Sequence, residues 1–76
     1  MSDPVILDAK GLSCPLPVLR TRKRMGELPA GGLLRVLTTD PGSVEDFAAY
    51  CQTSGAALVE SGVENGVYSF LIRKPG

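Results

Sequence analysis

Cys14, in the run Cys14-Pro15-Leu16-Pro17, is the residue whose type and setting best suit chemistry in this chain. An apolar strand pattern ends just before it, and a helical pattern begins just after. The spacing predicts the thiol at a helix N-cap, where the macrodipole and unpaired backbone amides favour a thiolate. Helix-N-terminal thiols fall from a pKa of about 8.5 to roughly 3.5–7.5, so a lowered value is expected for Cys14. Pro15, read as the first helical residue, removes an amide that would lack a partner anyway, and Pro17 removes another. That leaves the Leu16 amide as the expected first-turn donor to the sulfur. Both rings fix φ, and the loop is expected to hold the thiol outward in one pose. A thiol so placed is a nucleophile, a carrier of sulfur or a packing residue. Serine or aspartate caps a helix better than cysteine does, which favours a chemical role.

The other reactive residue types narrow that role. There is no histidine in the sequence, which removes Cys–His nucleophilic catalysis and leaves too few ligands for a zinc site. Neither a metal nor a cofactor is expected. The second cysteine, Cys51, falls with Val44, Phe47, Ala48 and Gly55 on one face of a later helix. That face is read as a buried stripe, where free cysteine acts as a small hydrophobe. Cys51 lies about eight residues into its helix, or roughly 12 Å along the axis from the edge where Cys14 is expected. Disulfide Cα atoms lie within about 7 Å, so a Cys14–Cys51 bridge is not expected.

The first helix carries Arg20, Arg22, Lys23 and Arg24. Arg20 and Lys23 lie opposite its apolar stripe, with Leu16 and Leu19 beside them. Exposed leucines mixed with positive charge form a docking face for an acidic partner, to which Arg24 adds charge. The same pattern also fits a solvated helix surface with Leu19 tucked against the neighbouring helix. Asp40 is read as the residue that holds its turn with Pro41 and Gly42.

The elements that position these groups follow from the periodicity. Val5 to Ala9 reads as a short strand closed by Gly11. A helix from Pro15 carries Val18, Thr21, Met25 and Leu28 on one side, and Leu28-Pro29-Ala30-Gly31-Gly32 stops it. Leu33 to Thr39 is a second strand. Ser43 opens the next helix, and Ser43 with Asp46 reads as a capping box. Strands at Ala57–Ser61 and Val67–Arg73 flank Asn65-Gly66, a hairpin turn signal. The string is β-α-β-α-β-β. Short connections and right-handed crossovers place both helices on one face of a four-stranded mixed sheet, giving an α+β two-layer sandwich. Ligands in such folds bind at the C-terminal strand ends, which brings the Cys14 and Asp40 loops to one edge.

Composition bounds the rest. Seventy-six residues make one domain, read here as residues 1–76, too small for a deep substrate pocket. Eight basic and eight acidic residues cancel, so no overall field points to nucleic acid or membrane. Met1-Ser2-Asp3-Pro4 has no basic leader region and no apolar run approaches membrane-spanning length, so a cytoplasmic protein with reduced cysteines is expected.

Taken together, Leu7-Asp8-Ala9, Gly11-Leu12, Cys14-Pro15-Leu16-Pro17-Val18, Arg22-Lys23, Asp40-Pro41, Asn65-Gly66 and Leu71-Ile72-Arg73-Lys74 resemble the TusA (SirA-like) sulfur-carrier family over nearly the whole chain. The resemblance implies a βαβαββ sandwich whose cysteine, here Cys14, takes sulfane sulfur as a persulfide and passes it on. It implies cysteine desulfurases or rhodaneses as protein donors and DsrE-like proteins as acceptors. Pathways served by the family are tRNA thiolation, molybdenum cofactor synthesis and sulfur oxidation. The chain departs from the tRNA-thiolation members at Leu16, where those carry glutamate, and the pathway stays open. Such a protein is a sulfurtransferase-type carrier rather than a stand-alone multiple-turnover enzyme.

A thiolate already present needs no general base to attack a donor persulfide, and a distant second cysteine spares the new persulfide from reduction. Two other classes compete. A basic helix on a small α/β sandwich suits RNA binding or a protein-interaction module with an inert Cys14, against which stand the zero net charge and few aromatic residues. A thiol oxidoreductase would need a resolving cysteine or an activating histidine.

Overall fold

A computed structural model describes residues 4–75; Met1 to Asp3, which include most of the segment read above for a leader, and Gly76 lie outside it. The order is β1 (Val5–Asp8), α1 (Leu16–Glu27), β2 (Leu33–Thr38), α2 (Ser43–Ser54), β3 (Ala57–Glu64) and β4 (Val67–Arg73). The four strands form one mixed sheet in the order β1-β2-β4-β3. β1 runs parallel to β2, and β4 runs antiparallel to both β2 and β3. The expected two-layer sandwich is the observed fold.

Alternation along the strands decides which side is covered. Leu34, Val36 and Thr38 of β2 are buried, and their partners Ile72 and Phe70 on β4 share that side. Both helices pack there. Phe47 of α2 stacks on Phe70, with ring centroids 4.7 Å apart and planes 20° from parallel. With Met25 of α1 they form the centre of the core.

Pro17, Thr21 and Met25 are the buried positions of α1, four residues apart, with Val18 and Leu28 half-buried beside them. Thr21 satisfies its buried hydroxyl within the helix, donating to the Pro17 carbonyl at 2.9 Å. The expected stripe is therefore present, widened by Pro17.

α2 corrects the sequence reading twice. Its core face is Ser43 and Phe47, with Tyr50 and Cys51 half-buried, whereas Val44 is 50% exposed and Ala48 also faces solvent. The helix carries small apolar residues on several sides (Val44, Ala48, Ala49, Cys51), so its rotation is set by the Phe47–Phe70 stack rather than by its own pattern. The capping box does not form either. Gly42 is the N-cap, and Ser43 turns inward to accept a hydrogen bond from the Thr38 hydroxyl at 2.8 Å, leaving Asp46 free to face elsewhere.

β3 continues to Glu64, past the expected end at Ser61, because pairing with β4 carries it to the hairpin. All eight of its residues are exposed, as befits an edge, and the pairing slips between Leu58 and Glu60. Asn65 and Gly66 both have positive φ (51° and 77°), the signature of the type I′ turn their sequence predicts. No helix among the described residues is long and apolar enough to cross a membrane.

Candidate functional site

Parallel β1 and β2 end side by side, and the loops leaving them meet. After β1 the chain is fastened stepwise to the loop after β2. The Ala9 amide donates to the Leu37 carbonyl (2.8 Å), Gly11 to the Thr39 hydroxyl (3.0 Å) and Cys14 to Asp40 Oδ2 (2.7 Å). Gly11, at φ 81°, makes the bend that aims this loop. The other carboxylate oxygen of Asp40 accepts the Gly42 amide at 3.0 Å, and the Asp40 carbonyl accepts the Ser43 amide at 3.0 Å. Asp40 thus holds its turn, as expected, and also pins the Cys14 loop. The Cys14 and Gly42 amides together hold its carboxyl below the usual carboxylate range.

Cys14 is exposed, as expected, but it does not cap the helix. Pro15 is the N-cap, which places the thiol one residue outside, and Pro17 falls in the first turn. The Cys14–Pro15 peptide is cis. Leu16 does not donate to the sulfur, because its amide donates to the Ser13 carbonyl at 2.9 Å. With Pro15 and Pro17 lacking N–H groups, the helix start has few donors to offer a thiolate.

The expected lowering of the Cys14 pKa is accordingly reversed. The thiol is pushed above its ordinary value, first by hydrogen bonding to the Asp46 carboxylate. Partial loss of water and then the charges of Asp46 and Asp40 push the same way. A carboxylate beside a thiol disfavours the anion. Here the carboxylates that the fold brings beside the thiol set the direction.

Cys14 and Asp46 line an open cleft of about 500 Å³ between α1 and α2, together with Pro15, Val18, Arg22 and Tyr50. Asp46, Arg22 and Tyr50 were not singled out from the sequence as neighbours of the thiol. The signal was Asp46's place in the first turn of α2, the helix that follows the Asp40 loop.

Leu19, Arg20, Lys23 and Arg24, the expected docking face, come together with Leu7 and Glu27 around a second groove on the β1 side of α1. Leu19 is 50% exposed rather than tucked against α2, and Leu16 is 45% exposed at the head of the same helix. Arg24 is partly engaged, donating to Glu27 at 2.8 Å. Cys14 does not line this groove, so α1 separates the thiol's cleft from the basic face.

Cys51 is half-buried and free, its thiol pushed up by burial, and Cys14 is free as well. No group of three or more His, Cys, Asp or Glu among the described residues is arranged to hold a metal ion.

Comparison with known proteins agrees with this fold. The chain is 50% identical over 68 residues to the "Sulfur carrier protein TusA" of Allochromatium vinosum, covering 90% of each. It is 45% identical over 76 residues to the protein of that name from Pseudomonas paraeruginosa, covering 97% of this chain and 96% of that one. The crystal structure of a SirA-like protein from Desulfitobacterium hafniense superposes with a TM-score of 0.83 at 31% identity, covering 95% of this chain and 99% of that one. The family model described as "Sulfurtransferase TusA" matches residues 5–74, and the chain belongs to that TusA family.

Proposed function

We propose that this protein is a sulfur carrier in which Cys14 takes sulfane sulfur from a donor protein as a persulfide and passes it to an acceptor protein. The observation that carries this reading is an exposed thiol at the tip of a loop fixed from below by Asp40. The names of the relatives support the same role.

The transfer is redox-neutral. Cys14, as a thiolate, attacks the terminal sulfur of the donor's cysteine persulfide, and the donor's S–S bond breaks with its cysteine leaving as thiolate. One S–S bond forms and one breaks, and the proton lost by Cys14 is balanced by the one gained by the donor. Rate in such exchanges follows thiolate fraction and access. Access is provided here, whereas Asp46 and Asp40 keep the thiolate fraction low in the free protein. Ionisation therefore belongs to the complex with the donor, where docking alters the surroundings of the two carboxylates. Pro15, Leu16 and Pro17 shape the tip that the partner's site receives.

In this reading residues 1–76 act as one carrier domain. Leu19, Arg20, Lys23 and Arg24 form the docking face for acidic surfaces of its protein partners. A cysteine desulfurase or rhodanese suits the donor's part and a DsrE-like protein the acceptor's. Pathways of tRNA thiolation, molybdenum cofactor synthesis and sulfur oxidation all draw on such a carrier, and it works in the cytoplasm without a cofactor of its own.

Intact-mass measurement after incubation with a persulfidated donor tests the proposal. The wild-type chain is expected to gain one sulfur atom's mass and the Cys14→Ser variant none. An equal gain in the variant would refute the assignment of Cys14.

A further inference from the structure

Four titratable or charged side chains line the thiol's cleft, counting Cys14 itself. Arg22 faces it from α1 and Asp46 and Tyr50 from α2, while Asp40, in the loop before α2, accepts the Cys14 amide. Their engagements differ. Both carboxylate oxygens of Asp40 are taken by backbone amides, those of Cys14 and Gly42. Asp46 joins none of the three ion pairs found among the described residues, and neither does Arg22. Asp40 is thus a fixed charge below the loop, while Asp46 is an available acceptor across the cleft from Cys14.

We propose that Asp46 is a positioning residue that distinguishes the empty carrier from the loaded one. It holds the Cys14 thiol against the α1–α2 cleft and repels the terminal sulfur once a persulfide has formed. The inference rests on the carrier reading above and goes beyond it. A thiol has an S–H to donate, and a carboxylate is the acceptor that uses it. A persulfide is a stronger acid than the thiol it comes from, so at neutral pH its terminal sulfur is an anion with nothing to donate. It then meets Asp46 and Asp40 as like charges, inside a cleft that concentrates their field more than open water does. Arg22 is the single cation among the cleft's lining residues, and it stands on α1 whereas Asp46 stands on α2, so the attraction it offers draws the sulfur away from Asp46. Sulfur uptake thus turns the contact with Asp46 from attraction to repulsion. The loaded tip swings towards solvent, where an acceptor reaches it, and the unloaded tip returns. No atom is exchanged in this switch beyond the sulfur already transferred and the persulfide's own proton, which goes to water.

The experiment uses the full-length chain, reduced, with iodoacetamide as the probe and peptide mass mapping to count alkylated Cys14 apart from Cys51. Rates are measured from pH 6 to pH 10, a range of about four units centred on ordinary thiol values. Asp46→Asn is expected to alkylate several-fold faster at neutral pH, with the profile displaced to lower pH. Asp46→Glu, which restores a carboxylate, is expected to move the profile back. A profile unchanged in Asp46→Asn, with thermal unfolding showing an intact fold, overturns the inference. Independent of any variant, the carboxyl ¹³C signal of Asp46 in the wild-type chain is expected to move as Cys14 titrates. It should move again on loading with inorganic polysulfide, and a signal indifferent to both also overturns it. Failure of the two proposals is distinguishable. A chain that takes no sulfur at Cys14 from its donor sinks the carrier reading, whereas one that takes sulfur with an alkylation profile blind to Asp46 sinks only this one.

Discussion

Asp40 accepts the Cys14 amide at 2.7 Å across a sequence separation of 26 residues. With the Gly11–Thr39 bond, it ties together the two loops that carry the candidate site. Because the same carboxylate also accepts the Gly42 amide, one side chain sets both the tip of the first loop and the start of α2.

Replacing Asp40 by alanine is expected to leave the fold in place and free the tip. Amide exchange at Cys14 should accelerate strongly, with smaller effects at Gly42 and none in the sheet, and sulfur uptake should slow. The wild-type tie has a definite pH dependence. The folded-state carboxyl titrates below its unfolded value, so the stabilisation is present above the ordinary carboxylate range and is lost as pH falls through the lower folded value. Protection of the Cys14 amide should therefore persist through mild acid and vanish only below that range. Slow exchange at Cys14 in the alanine variant would show that the loop is held by something else.

The buried Thr38–Ser43 hydroxyl pair, 2.8 Å apart, invites a double-mutant cycle. Ser43→Ala leaves the Thr38 hydroxyl without its partner in the core and is expected to cost about 1–3 kcal/mol in urea unfolding. Adding Thr38→Val, which is nearly isosteric, removes the orphaned group and should recover part of that loss. Strict additivity in the cycle would argue against the pair as a coupled unit.

The groove lined by Leu19, Arg20 and Lys23 should matter to partners and hardly at all to folding. Leu19→Ala and charge reversal at Arg20 and Lys23 are exposed changes, expected to alter stability by less than about 0.5 kcal/mol each. Sulfur transfer from the donor protein should weaken markedly in both, and for the charge reversals the deficit should shrink as salt is raised. Unimpaired transfer in a well-folded triple variant would remove this face from the proposed docking surface.

Much of the fold was legible in the residues because local and tertiary preferences agree. Asn65-Gly66 takes the positive φ pair a tight hairpin needs, and the 18–21–25–28 spacing of α1 found the sheet. The meeting of the Cys14 and Asp40 loops followed from strand ends alone. Two of the failures share a cause. The rotation of α2 about its axis, hence the exposure of Val44 and Ala48 and the direction of Asp46, is decided by Phe47 meeting Phe70. The sign of the Cys14 shift depends on that rotation too. A helix start considered alone favours a thiolate, and only the packed pair of helices brings a carboxylate opposite it.

The slipped pairing between Leu58 and Glu60 sits on a strand whose outer rim has no neighbour in the sheet. Long, flat rims invite further chains to add on, and a local irregularity with acidic side chains nearby discourages them. Glu60 and Glu64 supply such charge here, and Gly62 weakens the segment as a template. The slip therefore makes this rim a poorer template for the pairing of a further strand.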